Sequence, residues 1–251
     1  MSTSAYRNFR GNPLPFDEQI NVLFQFKNLS NETKQVLSKV YSTLAMCLVI
    51  ASIGVFTAIN IYRPNFFLTF LVNIGAVLFF IYTPKHETNK RFGILSVISF
   101  VTGISLSDMI SFYIQVNPSI VLSAFLLTSG IFTSFSVFSL LNKGNNRMFL
   151  FLASTISSLG LGIFILSLYR LFGGRSESLD QLLMLGVLAS SVLFVIYDTQ
   201  MIVYRIEKNG NKDFIHHALV LFLDFVDLFR IILTTLAKKE QNRNDNKNKR
   251  R

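Results

Sequence analysis

Apolar residues run along this chain in seven long stretches separated by short polar breaks: Lys39–Ile61, Phe66–Tyr82, Gly93–Gln115, Ser119–Leu141, Met148–Phe172, Leu182–Tyr204 and Phe214–Ala237. An α-helix needs about 20 such residues to cross a bilayer. The stretches are too long and too continuous for the alternating strands of a membrane β-barrel. Inside lipid a helix satisfies its own backbone groups. The pattern therefore predicts an all-α polytopic membrane protein, a bundle of six or seven transmembrane helices. The breakers agree with these boundaries. Pro13 and Pro15 precede the first stretch, and Pro64, Pro84 and Pro118 fall in gaps, clear of the helix interiors where proline costs about 3 kcal/mol. Gly144, Gly173, Gly174 and Gly210 mark further turns. Three regions result: a polar N-terminal segment 1–38, a helical bundle 39–237 and a basic tail 238–251.

Composition excludes several classes. The 251 residues are 51% hydrophobic and 15% charged, with a mean hydropathy of +0.45, against about a quarter charged in soluble domains. Disorder does not fit so apolar a chain. Cys47 is the single cysteine, so no disulfide scaffold forms, and it reads as a small buried apolar residue. A net charge of +10 suits nucleic acid, but the basic residues sit in short gaps between apolar runs. The expected partner is a lipid bilayer, with no nucleic acid. Residues 1–38 contain no apolar core of a signal peptide, so the first helix is expected to direct insertion. The sequons at Asn28 and Asn31 read as chance matches. Ser30 or Asn31 reads as the N-cap of a helix leading into the first stretch.

Counting Lys and Arg gives an orientation. With the N-terminus cytosolic and seven crossings, that side holds Arg7, Arg10, Lys27, Lys34, Lys39, Lys85, Lys90, Arg91, Lys143, Arg147, Arg205, Lys208 and Lys212. The other side holds Arg63, Arg170 and Arg175. The tail conflicts with this code: seven more basic residues lie between Lys238 and Arg251, and a seventh full crossing puts them on the wrong side. Either the rule is overridden there, or the last segment dips in and returns, and the expectation taken is a cytosolic tail. Lys247 and Lys249 then fit a dilysine-type endoplasmic-reticulum retrieval signal. A plainer reading is a solvated basic tail that attracts anionic headgroups.

Acids inside the apolar stretches are the candidate chemistry. Each costs about 2.5–3.5 kcal/mol at a helix centre on insertion scales, so Asp108, Asp198, Asp224 and Asp227 must be paired, protonated or hydrated. Asp198 lies late in the sixth stretch and Asp224 near the middle of the seventh, and consecutive antiparallel helices bring them side by side. Two carboxylates in contact do not both ionise easily and share a proton. Ionised, they offer oxygens to a hard cation such as calcium. His217, Asp227 and Arg230 are supporting candidates on the same polar segment, which is expected to sit at the bundle's centre. Their plainer readings are a hydrogen-bonded helix-end histidine and an Asp227–Arg230 structural ion pair. Asp108 is the weakest candidate. HExxH, GxSxG and a phosphate-binding glycine loop are absent from the sequence, so neither an enzyme nor a resident cofactor is expected.

Tyr197-Asp198-Thr199-Gln200-Met201-Ile202, then Asp213-Phe214-Ile215-His216-His217-Ala218-Leu219, then Leu221-Phe222-Leu223-Asp224-Phe225-Val226-Asp227-Leu228-Phe229 resembles the signature of the Bax inhibitor-1 family. Thr83 to Thr88, Lys90 to Gly93 and Val116 to Ile120 match as well, and the likeness covers the chain from about Thr33 to the basic tail. The resemblance implies a cell-death suppressor of the endoplasmic-reticulum membrane that leaks calcium in a pH-sensitive way. It implies an aspartate dyad at the pore, which falls on Asp198 and Asp224, with calcium as the transported ion. Implied partners are Bcl-2-type death regulators or other endoplasmic-reticulum channels, or a second copy of the chain. Relatives latch one aspartate with an arginine on the second helix. Here the second stretch has no arginine, and Asp227 stands where a neutral polar residue is usual. The rival reading is a membrane adaptor without transport, its aspartates acting as glue between helices.

Overall fold

The structure, a computed structural model, describes residues 30–61, 65–141, 146–172 and 176–248. Those residues form seven helices and no strand: α1 (Asn31–Asn60), α2 (Phe66–Tyr82), α3 (Thr88–Val116), α4 (Ser119–Leu141), α5 (Asn146–Leu171), α6 (Glu177–Asn209) and α7 (Phe214–Asn248). Asn28, Gly144, Gly173, Gly174 and Lys249 lie outside the described residues, as does every other position up to 29.

Local chemistry sets the helix ends. Ser30 caps α1, its Oγ accepting the Thr33 N–H at 3.0 Å. Asn65 caps α2 through Phe67 N–H at 2.9 Å, and Ser176 caps α6 through Leu179 N–H at 3.1 Å. Each satisfies one orphan donor of a first turn. Asn117 and Pro118 stop α3. Gly210 stops α6 in the left-handed region at φ 60°, a conformation glycine adopts without steric penalty.

Five helices, α1, α3, α4, α5 and α6, are long and apolar enough to cross a membrane. The apolar α2 has 17 residues, about 26 Å of helix. Large apolar side chains such as Phe67, Phe79, Leu150, Phe151 and Phe164 face outward, as lipid contact requires. The chain is a multi-pass membrane protein.

The last helix is polar and long. α7 is one unbroken helix of 35 residues, about 52 Å, with no dip and return. It packs on α1, α3, α4 and α6 and buries Leu221, Phe222, Leu228, Leu233 and Ala237. Its start lies beside the starts of α1 and α3, joined to them by Lys212–Glu32, Lys39 over Phe214 and Arg91–Asp213. Residue 30 and the end of α7 therefore lie at opposite ends of the bundle. Of the two alternatives for the last segment, a full crossing and a dip and return, the second finds no break in α7.

The expected central position of α7 holds on most of its faces. Leu223, Asp227 and Arg230 are the difference, forming an exposed strip. The reason is that α5 packs chiefly on α6 and leaves this side of α7 uncovered.

Candidate functional site

α6 and α7 are antiparallel neighbours, and their contact brings Asp198 and Asp224 together, close enough for each carboxyl group to act on the other. Asp198 is held in place by buried neighbours, Val195, Ile196, Thr199 and Gln200. Ser139 of α4 also fixes this turn, donating to the Ile196 carbonyl at 2.9 Å. Asp224 sits among the buried side chains Leu221, Phe222 and Phe225, and its Oδ2 has no hydrogen-bond partner. A buried carboxyl oxygen without a partner is costly. Such groups are kept where they do something.

A cavity lies on either side of this pair along the bundle. One, of about 490 Å³, is lined by Ser190, Ser191, Asp224, Asp227, Arg230 and Thr234 among others. The second, of about 930 Å³, is lined by Lys85, Arg91, Arg205, Lys212, Asp213 and His216 among others. Asp224 faces the first cavity. Arg205, two helical turns beyond Asp198 on α6, lines the second and acts on Asp198 through space. The two aspartates thus stand between the cavities.

The supporting candidates separate. Asp227 and Arg230 share the smaller cavity with Asp224. They form no ion pair in contact among the described residues, although the arginine's charge acts on Asp227 through space. His217 is fully buried, with Nε2 3.3 Å from the Asn211 carbonyl. It belongs to the α6–α7 turn, two helical turns from Asp224, and so does not support the aspartate pair directly. Asp108 is exposed on α3. Lys247 lies in the last turn of α7, and the other half of the retrieval pair, Lys249, falls outside the described residues. Cys47 is a buried free thiol.

Calcium takes six to eight oxygens. Among the described residues no three His, Cys, Asp or Glu side chains gather into a metal-holding group.

Arg91 and Asp213 were not singled out as a pair in the sequence, although both fall within its motifs. Arg91, in the first turn of α3, makes an ion pair with Asp213, and both side chains are buried (5% and 8% exposed). Its guanidinium lies over the Phe80 ring, 4.4 Å from the centroid. Asp213 in turn accepts the His216 N–H at 3.1 Å and so caps α7. The arginine on this face is therefore bound to the turn before α7 and not to Asp198 or Asp224. Three buried hydroxyls, of Tyr41, Ser136 and Thr199, also gather from α1, α4 and α6.

The family described as "Inhibitor of apoptosis-promoting Bax1" matches residues 33–241. The chain is 50% identical to the Bax inhibitor 1 homolog of Dictyostelium discoideum, with all of both chains covered. It is 35% identical to Bax inhibitor 1 of Bos taurus, over 92% of this chain and 99% of that one. With Bax inhibitor 1 of Homo sapiens it shares 33% identity, over 92% and 98%.

Proposed function

The chain belongs to the Bax inhibitor-1 family, and from that premise we propose that it suppresses programmed cell death as a pH-sensitive calcium leak channel of the endoplasmic-reticulum membrane. Asp198 and Asp224 are its pore dyad. The observation that carries this reading is the pair's place between a cavity midway along the bundle, lined by Asp224, and a second cavity at one of its ends. Two carboxyl groups this close share a proton. Protonated, the pair is neutral and offers calcium little; ionised, it offers a passing cation its oxygens. Asp227 and Arg230 line the approach from the α7 side.

Calcium efflux from vesicles reconstituted with the purified chain tests this across pH. Asp224→Asn removes the shared proton while preserving side-chain size. The expected result is a flattened pH profile and a loss of flux on the order of tenfold or more, as for a charge lost from a low-dielectric path. Asp227→Asn is expected to retain the pH profile. An unchanged profile in Asp224→Asn would sink the dyad.

The adaptor reading draws on one observation: α7 continues beyond the bundle, with Lys238, Lys239 and Arg243 exposed. Removing residues 238–251 separates the two. Intact flux with lost protection from cell death favours the adaptor.

The excess of Lys and Arg on one side's loops supports a cytosolic N-terminus. A full crossing by α7 then puts the tail in the lumen, whereas the retrieval reading of Lys247 and Lys249 needs a cytosolic tail. Protease added to sealed microsomes is expected to remove an N-terminal tag and spare a C-terminal one. Removal of both would return the tail to the cytosol.

A further inference from the structure

The larger cavity opens at the end of the bundle where the α2–α3 loop meets the α6–α7 turn. Its charge is lopsided. Lys85, Arg91, Arg205 and Lys212 line it with His216, and Asp213 is its single carboxylate. Asp213 is already engaged by Arg91, and Lys212 reaches out to Glu32. Among the described residues Lys85 and Arg205 have no ion-pair partner. Arg91, its side chain 5% exposed, adds its charge to the wall while it holds Asp213. A concave site with four cations, one carboxylate and two cations without an ion-pair partner among the described residues lacks an anion.

We propose that this cavity binds a phosphomonoester group. At neutral pH that group carries a charge of about −1.5 to −2 with three strong acceptor oxygens. It matches the two cations, Lys85 and Arg205, left after Asp213 and Glu32 are counted, and arginine donors grip it in pairs. Neither the aspartate pair nor calcium enters the argument. Two sources share this chemistry: a lipid headgroup and a free phosphate. The outward face of α2 beside the cavity is apolar, with Phe79, Ile81 and Tyr82 exposed, which gives acyl chains a place to lie.

The test is native mass spectrometry of the detergent-solubilised full chain titrated with dioctanoyl phosphatidic acid, dioctanoyl phosphatidylcholine or inorganic phosphate. One phosphatidic acid is expected to bind, with about tenfold preference over phosphatidylcholine. Lys85→Gln together with Arg205→Gln is expected to erase that preference. Lys85 lies in an exposed loop, so Lys85→Gln alone folds, and it should weaken binding by about threefold. Competition by millimolar inorganic phosphate assigns the site to free phosphate, and its failure to compete assigns it to lipid. No preference over phosphatidylcholine, or equal binding by Lys85→Gln and the double variant, overturns the proposal; in the latter case the basic tail is the binder.

Discussion

Gly103→Leu is expected to lower the thermal midpoint of the purified chain by about 10 °C, from about 3 kcal/mol of overpacking at some 2–4 °C per kcal/mol. A Cβ built on Gly103 falls 2.0 Å from the Ala51 carbonyl oxygen and 2.7 Å from its carbon. The contact is reciprocal: a Cβ on Gly54 falls 2.2 Å from the Phe100 carbonyl oxygen. Both obstacles are helix backbone, which has no rotamer to change. Relief requires α1 and α3 to move apart, and these two share the most extensive interface in the bundle. Small residues that let backbones touch are a main source of helix association in lipid. The controls lie in the same chain. A Cβ on Gly162 or Gly130 meets nothing within 4 Å, so Gly162→Ala should be neutral or stabilising through helix propensity. A Cβ on Gly186 meets the Ile163 side chain at 3.3 Å, a flexible neighbour able to yield. Equal melting of Gly103→Leu and Gly162→Ala, followed by circular dichroism, refutes the crossing as a source of stability. The crossing also reaches the candidate site, because α3 carries Arg91 to the start of α7.

The seven elements were legible because lipid permits little else: the apolar stretches and the prolines between them answer to one physical constraint. The position of Asp198 and Asp224 side by side was legible too, since a short turn between antiparallel helices limits where the two acids can go. What stayed hidden depends on crossings. A sequence shows a glycine at 54 and another at 103 but not that each meets the other helix's backbone. Arg91 and Asp213 are 122 residues apart, and nothing local to either names its partner. Arg205, counted as a loop charge, proves to lie on α6 with Asp198 within reach of its field. The exposed strip of α7 escaped for a related reason. Polarity alone argued that the helix be enclosed, whereas the packing of α5 on α6 leaves one face open.

Arg91→Ala is expected to destabilise the protein by about 3–5 kcal/mol, the range for a buried ion pair that loses one partner. The loss has two parts. Asp213, only 8% exposed, is left as an uncompensated charge at the start of α7. Phe80 loses the guanidinium that lies over its ring, a contact worth about 0.5–2 kcal/mol. Arg91→Lys separates them, since lysine restores the charge without the planar fork, and should recover part of the stability. Asp213→Asn keeps a side-chain oxygen able to cap α7, as asparagine caps well, so its cost measures the ion pair with the cap intact. The decisive variant is Arg91→Ala with Asp213→Asn. Removing both charges leaves no orphan, and the double variant should be more stable than the sum of the single losses predicts. Strict additivity in this cycle, measured by unfolding in mixed micelles, would mean that the two residues act independently and that the α6–α7 turn is held by the His217–Asn211 contact and by packing. The consequence of coupling reaches further than stability. The pair fixes where α7 begins, and the register of α7 decides whether Asp224 meets Asp198. On the proposed function, loosening it should therefore also blunt calcium efflux from reconstituted vesicles while Asp198 and Asp224 remain in the sequence.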